Sequence, residues 1–402
     1  MNLPNVKVVR EMSSRLEQLI KEMCPDGVEH KALGDVCVKT ENINWTDRKD
    51  DLHYIDLTSV DRTTKNIVET TIINSESAPS RAQKIVYKED VLFGMTRPTL
   101  KRYCFISRKY DNQICSTGYS VLRANRNLVL SRYIYHLVGS GSFNAYVEMN
   151  QKGSAYPAIS DKEVKEYQAP IPPLPIQHEI VRILDNFTEL TAELTAELTA
   201  ELTARKKQYE YYRDELTVGS KGGCLLRIED VCHMKAGTSI KAININLEKT
   251  HDYPYPCYGG NGIRGYVSTY THDGDYILIG RQGAFSGNIK RASGKFYATE
   301  HAVVTEFKEC FDIDFSFHLF KAMNLNQYVT QSAQPGLSVG KLKSIPISYP
   351  KLAVQRRNGR ALNTFQLLLS NIESGIPSEI DARKIQYEYY RDKLLSFEKD
   401  NK

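Results

Sequence analysis

None of the eight cysteines stands in CxxC spacing, so the sequence offers no zinc ribbon and no thioredoxin-type pair; scattered reduced thiols are the expectation. No stretch approaches the roughly 20 apolar residues of a membrane span, and the N-terminal MNLPNVKVVREMSSRLEQL lacks the apolar run of a signal peptide. A cytoplasmic protein is therefore expected. H-E-x-x-H, G-x-S-x-G and Asn/Asp-Pro-Pro-Tyr are all missing, and the nine histidines, His30, His178 and His301 among them, form no ligand cluster. Charge is nearly balanced, 53 basic against 48 acidic residues, so any nucleic-acid partner has to be argued from local clusters.

What the chain does have is a copy of itself. TAEL occurs three times from Thr191 to Leu202, after a partial block Thr188-Glu189-Leu190, and runs into RKKQYEYYRDEL at Arg205. RKIQYEYYRDKL begins 178 residues later at Arg383, and the offset holds upstream: Phe187 answers to Phe365, Leu184 to Leu362, Arg182 to Arg360 and Gln177 to Gln355. SAYPAIS at Ser154 answers to SAQPGLS at Ser332. A repeat this long predicts two equivalent halves.

Leu16, Leu19, Ile20 and Met23 predict a helical arm ending at Pro25-Asp26-Gly27. Short apolar runs then predict strands at Tyr54–Leu57, Ile85–Tyr87, Val91–Met95 and Tyr119–Leu122, with one helix from Ser131 to about Glu148. Pro170, Pro172, Pro173 and Pro175 mark an extended connector and a boundary. Beyond it, Ile176, Ile180, Ile183, Leu184 and Phe187 open a continuous helix from about Gln177 to Leu216, rich in strong helix formers. Leu362, Phe365, Leu369, Ile372, Ile376 and Ile380 give its counterpart, which Gly375 and Pro377 should kink or break. The fold class expected is α+β: two mixed α/β modules separated by a long antiparallel two-helix coiled coil, pseudo-twofold by internal duplication. Separate helix-capped domains joined by a linker are the alternative. The divisions are an arm over 1–24, a first module over 25–168, a central helix over 169–218, a second module over 219–346 and a C-terminal helix over 347–402.

Two glycine motifs point to phosphate binding and fail. Gly260, Gly262, Gly265 and Val267 spell G-x-G-x-x-G-x-V, but strand-like YVSTY and YILIG follow where a helix should begin. Gly336 to Lys341 is one residue short of a Walker A loop and is followed by Leu342 instead of Ser or Thr. Both read as structural turns. Glu163-Val164-Lys165 and Glu306-Phe307-Lys308 have a nuclease-like E-x-K spacing without a partner carboxylate and are assigned to solvent.

Positive charge does cluster inside the modules. From Arg81 to Lys109 eight basic residues face two acidic ones, with Tyr87, Phe93, Tyr103 and Phe105 interleaved. In the second half Arg264, Arg281, Gln282, Asn288, Lys290, Arg291 and Lys295 gather at glycine-rich turns. Arginine can read guanine and glutamine adenine from such turns, while lysines meet phosphates. The candidate DNA contacts are Arg81, Arg97, Lys101, Arg102, Arg264, Arg281, Gln282 and Lys290. Tyr209, Tyr211, Tyr212, Tyr387, Tyr389 and Tyr390 could stack on bases, but on helices they suit packing against a module or a partner better.

The TAEL tandem before RKKQYEYYRD, its copy RKIQYEYYRDKLLSF, the opening LEQLIKEMCPDGVEHKALGDV, and YGGNGIRGYV with ILIGRQGA and FYATEHAVV resemble the specificity subunit of type I restriction-modification systems along essentially the whole chain. The resemblance implies two target-recognition domains, each reading half of a bipartite asymmetric site in double-stranded DNA. It also implies helices that bind two modification subunits, with restriction subunits joining the complex. Catalysis, with S-adenosylmethionine, ATP and Mg2+, would sit on those partners, and this chain would carry no cofactor or metal. Tyr209, Tyr212, Arg213, Tyr387, Tyr390 and Arg391 are then the candidate partner-binding residues. One TAEL block adds about 6 Å and a net turn of roughly 40° to a helix, against about 3.4 Å and roughly 35° per base pair. Copy number is therefore expected to set the spacer between half-sites. A self-contained DNA-acting enzyme and a coiled-coil adaptor for proteins alone are the competing readings.

Overall fold

The structure, a computed structural model, describes residues 5–48, 50–218, 223–330 and 336–400. Residues 219–222 at the start of the second module and 331–335, which include the SAQP of the second frame, lie outside the described residues. Two compact units are formed, one from 1–195 with 379–402 and one from 196–378. Each long helix thus gives one part to each unit.

In the first unit the helical arm spans Asn5–Met23. The module behind it holds two four-stranded sheets. One runs in the order Cys37–Val38, Tyr119–Ala124, Val91–Gly94, Tyr103–Phe105, entirely antiparallel. The other runs Thr71–Ile73, Leu52–Ile55, Gln113–Ser116, Ala82–Val86, with the middle pair parallel. All four expected strands are present within a few residues. The expected Ser131–Glu148 helix is instead two, Ser131–Gly139 and Gly141–Asn150. Ser140 between them is extended; its hydroxyl donates to Leu137 O at 2.7 Å and accepts from Phe143 N at 3.3 Å. A serine that caps the next helix ends the previous one, since its own backbone must leave the helical region.

The proline connector begins as a strand, Gln168–Pro170, paired antiparallel with His30–Ala32. Its counterpart Pro346–Tyr349 pairs with Cys224–Arg227 in the second unit. Each module is closed by a two-stranded clasp where its chain enters and leaves.

The first long helix spans Leu174–Leu216. Ile176, Ile180, Ile183 and Leu184 are buried in one cluster with Leu16, Leu33, Tyr133, Leu137 and Leu395. Burial of each such side chain is worth about 1.5–3 kcal/mol, so the apolar stripe fixes the helix on its module. The second long helix spans Leu352–Leu394, so of the expected kink or break at Gly375 and Pro377 the break does not occur. Pro377 is on the exposed side, where water can serve the carbonyl left without its N–H partner.

The second module carries one six-stranded sheet, ordered Cys232–Ala236, Ala302–Phe307, His272–Gly280, Ile289–Ala298, Tyr255–Gly259, Gly262–Val267. The G-x-G-x-x-G run is a hairpin between the last two, with Gly262 at φ +106°. Ser338 caps the short helix Val339–Lys343 and Ser160, at the matching position, caps Asp161–Lys165. The first glycine motif is therefore a hairpin turn, as expected, whereas the second leads through the Ser338 cap into the short helix Val339–Lys343. Glu163 is not merely solvated: it accepts from Ser160 N at 2.9 Å, completing that cap, and pairs with Lys152 at 2.7 Å.

In each unit the two helix parts run antiparallel. Phe187 stacks on Tyr390 in the first, ring centroids 5.5 Å apart. In the second, Lys206 pairs with Glu373 at 2.6 Å, while Asn358 Nδ2 donates to Leu216 O at 2.9 Å. Among the described residues no helix is long and apolar enough to cross a membrane.

Candidate nucleic-acid interface

Three of the four candidate contacts in the first module lie on one turn. Arg97, Lys101 and Arg102 connect Val91–Gly94 to Tyr103–Phe105, and Arg97 and Lys101 adopt left-handed φ of 48° and 51°. The turn is held from both sides: Arg97 N donates to Pro157 O at 2.7 Å and Ile159 N to Met95 O at 3.0 Å. Arg97 is exposed, its guanidinium 4.4 Å over the Tyr156 ring. Lys101 is also exposed. Arg102 is half-buried, and its buried Nε has no hydrogen-bond partner. Arg81 lies next to this turn, its carbonyl accepting from Thr117 N while Gly118 O accepts from Met95 N.

Sequence reasoning missed Lys65, which reaches this turn from the loop between Val60 and Ile67. Its ammonium donates to Arg62 O and Lys101 O, both at 2.5 Å, and lies 4.6 Å over the Tyr103 ring. Burial and the nearby positive charges of Lys384 and Lys101 pull its pKa down to about 8. Nothing in local pattern separates Lys65 from an ordinary surface lysine.

In the second module the candidates also converge. Arg281 N donates to His301 O, Leu337 N donates to Arg281 O, and Gln282 bridges to Gly336. Asn288 reaches Asn261 at 2.9 Å, tying this turn to the hairpin that carries Arg264. Arg264, Gln282 and Lys290 are exposed and Arg281 is half-buried. Lys290 lies along Gly262, its Cε within 3.6 Å of where a Cβ would stand. A further cation is Lys321, 4.4 Å over the Phe317 ring. Burial, followed by Lys290 and Arg213, lowers its pKa to about 8.

The two turns occupy the same place in their modules. Each follows a glycine that ends a sheet strand, Gly94 or Gly280, and each is pinned to the repeated frame at equivalent residues. Ile159 with Ala158 holds the first; Leu337 with Gly336 holds the second. The two module interiors therefore share this turn. FGMT at Phe93 answers to IGRQ at Ile279, with the backbone role kept and the presented side chains changed.

The tyrosine blocks are used inside each unit. Tyr387 Oη lies 3.2 Å from His136 Nδ1, and His136 Nε2 lies 2.9 Å from Asp185 Oδ1. Tyr209 Oη lies 2.8 Å from His318 Nδ1, and His318 Nε2 lies 2.8 Å from Asn363 Oδ1. Carboxylate and amide oxygens only accept, so in both sites Nε2 carries the hydrogen and Nδ1 accepts from tyrosine. Burial lowers the pKa of both histidines, that of His318 to about 4. Burial also raises Tyr209 to about 12.

Arg391 is buried over the Tyr387 ring and bonds Asp392, which also accepts from Gly141 N at 3.0 Å. Arg213 bonds Asp214 at 2.8 Å and faces the Tyr209 ring. Gln177 Oε1 accepts from Leu130 N and Gln355 Oε1 from Asp312 N, at 2.9 and 2.8 Å, the residues that cap Ser131–Gly139 and Ile313–Ala322. The same helix positions thus seat both modules. YIYHLV at Tyr133 and FSFHLF at Phe315 carry the matching signal in the sequence, at a spacing four residues longer than the main repeat. Tyr211, Tyr389 and Ile385 are left 65%, 62% and 67% exposed, and Tyr212 is also exposed; Tyr390 is half-buried on Phe187.

Residues 25–204 and 225–382 each match the type I restriction modification DNA specificity domain. The type I restriction enzyme EcoprrI specificity subunit of Escherichia coli is 46% identical over 241 residues, 58% of this chain and 60% of that one. A putative type I specificity subunit of Haemophilus influenzae is 34% identical over 40% of this chain and 43% of its own length. One from Mycoplasma pneumoniae is 30% identical over 56% of this chain and 94% of its own. The chain thus spans about half the length of the first two relatives. A chain solved in work on complex assembly of the type I R-M system shares the fold at TM-score 0.77, with 24% identity over 93% of this chain and 98% of that one. The HsdS subunit from Thermoanaerobacter tengcongensis does so at TM-score 0.65, with 23% identity over 93% and 97%. Matched in both of its halves, the chain belongs to the type I restriction-modification DNA specificity family.

Proposed function

We propose that this chain reads DNA for a type I complex and performs no catalysis itself. Each module contacts one half of a bipartite, asymmetric double-stranded target. The long helices hold two modification subunits, restriction subunits join them, and S-adenosylmethionine, ATP and Mg2+ act on those partner chains. The observation that carries this reading is the pair of equivalent turns, Met95–Arg102 and Arg281–Asn288. Both present basic or amide side chains from a backbone pinned to the repeated frame. A pinned turn with variable side chains is what base reading requires: phosphate contacts position the protein, and base-edge contacts specify the sequence.

Within this reading Arg97, Arg264, Arg281 and Gln282 are the base-edge candidates, with Arg81, Lys101, Arg102 and Lys290 on phosphates. In the first unit the exposed Tyr389 and Ile385, with the groove of Ala382, Arg383 and Gln386, and in the second unit the exposed Tyr211 and Tyr212, each offer a surface for a modification subunit. Tyr209, Arg213, Tyr387 and Arg391 would then serve partners indirectly, each by fixing the module of its own unit.

Methylation by the assembled complex tests the proposal. Arg281→Ala should relax one half-site, at about 1–3 kcal/mol of discrimination, and leave the other unchanged. Lys101→Ala should weaken all sequences alike and lower the salt slope by about one. Relaxation of both half-sites by Arg281→Ala, or methylation by the purified chain alone with S-adenosylmethionine, would contradict it.

A further inference from the structure

The two docking sites use equivalent helix positions but different charges. In the first unit Arg132, in the first turn of Ser131–Gly139, grips Asp185 with Nη2–Oδ1 at 2.5 Å and Nε–Oδ2 at 3.1 Å. The same guanidinium lies 5.0 Å from Phe105 and 4.8 Å from Tyr135, which fixes its plane. In the second unit the residue matching Arg132, four before the docking histidine, is Asp314. Opposite it, 178 residues after Asp185, stands Asn363. Asn363 turns its oxygen to His318 Nε2 at 2.8 Å, leaving its amide hydrogens for Asp314, to which it is hydrogen-bonded. Asp314 also pairs with Arg291 of its own module.

Exchange of the modules would break both arrangements. The second module on the first site would bring the Asp314 carboxylate against that of Asp185, with a neutral histidine between their helices. The first module on the second site would leave Arg132 facing an uncharged amide. Two like charges at a part-buried site are unfavourable, and a charge that loses its partner there is more costly than one in water. The histidine and tyrosine of each site cannot discriminate, because they are the same in both.

We propose that residues 185 and 363 assign each module to its own seat: aspartate at 185 accepts a module with arginine in the first turn of its docking helix, and asparagine at 363 accepts one with aspartate there. This pairing is independent of what either module reads. It makes the two halves of a duplicated scaffold non-interchangeable through one residue on each side of each seat.

Charge exchange in the full-length chain tests it, with hydrogen exchange of Ser131–Gly139 as the readout. Asp185→Asn alone should lower protection about tenfold, as expected for loss of a charged hydrogen bond. Arg132→Asp alone should lower it further. Added to Arg132→Asp, the Asp185→Asn change should now raise protection, because it recreates the aspartate and asparagine of the other seat. A packing role alone predicts the same sign in both backgrounds. Loss of protection by Asp185→Asn in both, or no change in the second, overturns the proposal. If Arg132→Asp does not fold, the second seat decides. Asn363→Asp should lower protection of Ile313–Ala322 about tenfold, and Asn363→Asp with Asp314→Asn should restore it; absence of either effect overturns the proposal equally.

Discussion

One seat closes on a carboxylate and the other on an amide, although a single ancestral arrangement of glutamine, tyrosine and histidine underlies both. The donor and acceptor accounting is what stayed constant. Nε2–H of each histidine needs an acceptor, which Asp185 Oδ1 or Asn363 Oδ1 supplies, and Nδ1 needs a donor, which is tyrosine. Charge was free to change once that requirement was met, and only the partner four residues before the histidine had to change with it. Duplicated domains can therefore diverge in electrostatics while keeping one geometry.

The largest effect that separates the seats is acid. His318 faces Tyr209, Asn363, Asp314, Lys321 and Arg213, and burial holds it at about 4 when folded, against about 6.5 unfolded. Between those values the unfolded chain binds more protons, so stability rises with pH. The contribution is complete above about 6.5 and lost as pH falls to about 4, roughly 3 kcal/mol in all. A proton on His136 would instead meet the Asp185 carboxylate, though Arg132 and Arg391 lie near. Hydrogen exchange at pH 7 and pH 5 should find Ile313–Ala322 opening before Ser131–Gly139. The reverse order would remove the carboxylate as the distinguishing feature.

A smaller effect should be equal in the two seats. Gln177→Ala and Gln355→Ala each leave a capping backbone N–H without its acceptor and free a connector carbonyl, Pro172 O or Pro350 O. Each should cost about 1–3 kcal/mol, felt in its own unit. Denaturant unfolding with a probe in each unit checks this, and a loss appearing in both units from one change would break the symmetry argued here.

Smaller still are Tyr387→Phe and Tyr209→Phe, at about 1 kcal/mol each. They should also alter histidine titration by NMR, since each removes the donor to Nδ1. A change in stability without a change in titration would place the tyrosines outside the network.

Much of this was legible in the chain. The apolar stripes gave both long helices, the strand runs gave the first module's sheets, and the first glycine motif was read as a turn because strand-like segments follow it. Pro377 misled because proline's cost depends on whether its side of the helix is wet, which periodicity does not report. Ser140 misled because the apolar residues on either side sustain a helical pattern through a residue whose hydroxyl works better as a cap. The seats were missed for a different reason. Tyr209 and Tyr387 were visible as a repeat, but His136 and His318 are spaced 182 residues apart instead of 178, so a fixed offset passes over them. Lys65 left no trace, because its burial arises from the Lys101 turn folding over it.

The central proposal is that each module reads its own half-site and that TAEL copy number in the first long helix sets the spacer between them. There Leu194, Leu198 and Leu202 of the TAEL blocks are half-buried, and the threonine hydroxyls of Thr191, Thr195 and Thr203 bond back into the helix at 2.7–2.9 Å. The direct measurement is sequencing of adenines methylated by the assembled complex, with the natural chain and with one TAEL block deleted. The account predicts a bipartite motif in both, with identical half-sites and a spacer one to two base pairs shorter after deletion. An altered half-site with an unchanged spacer would contradict it.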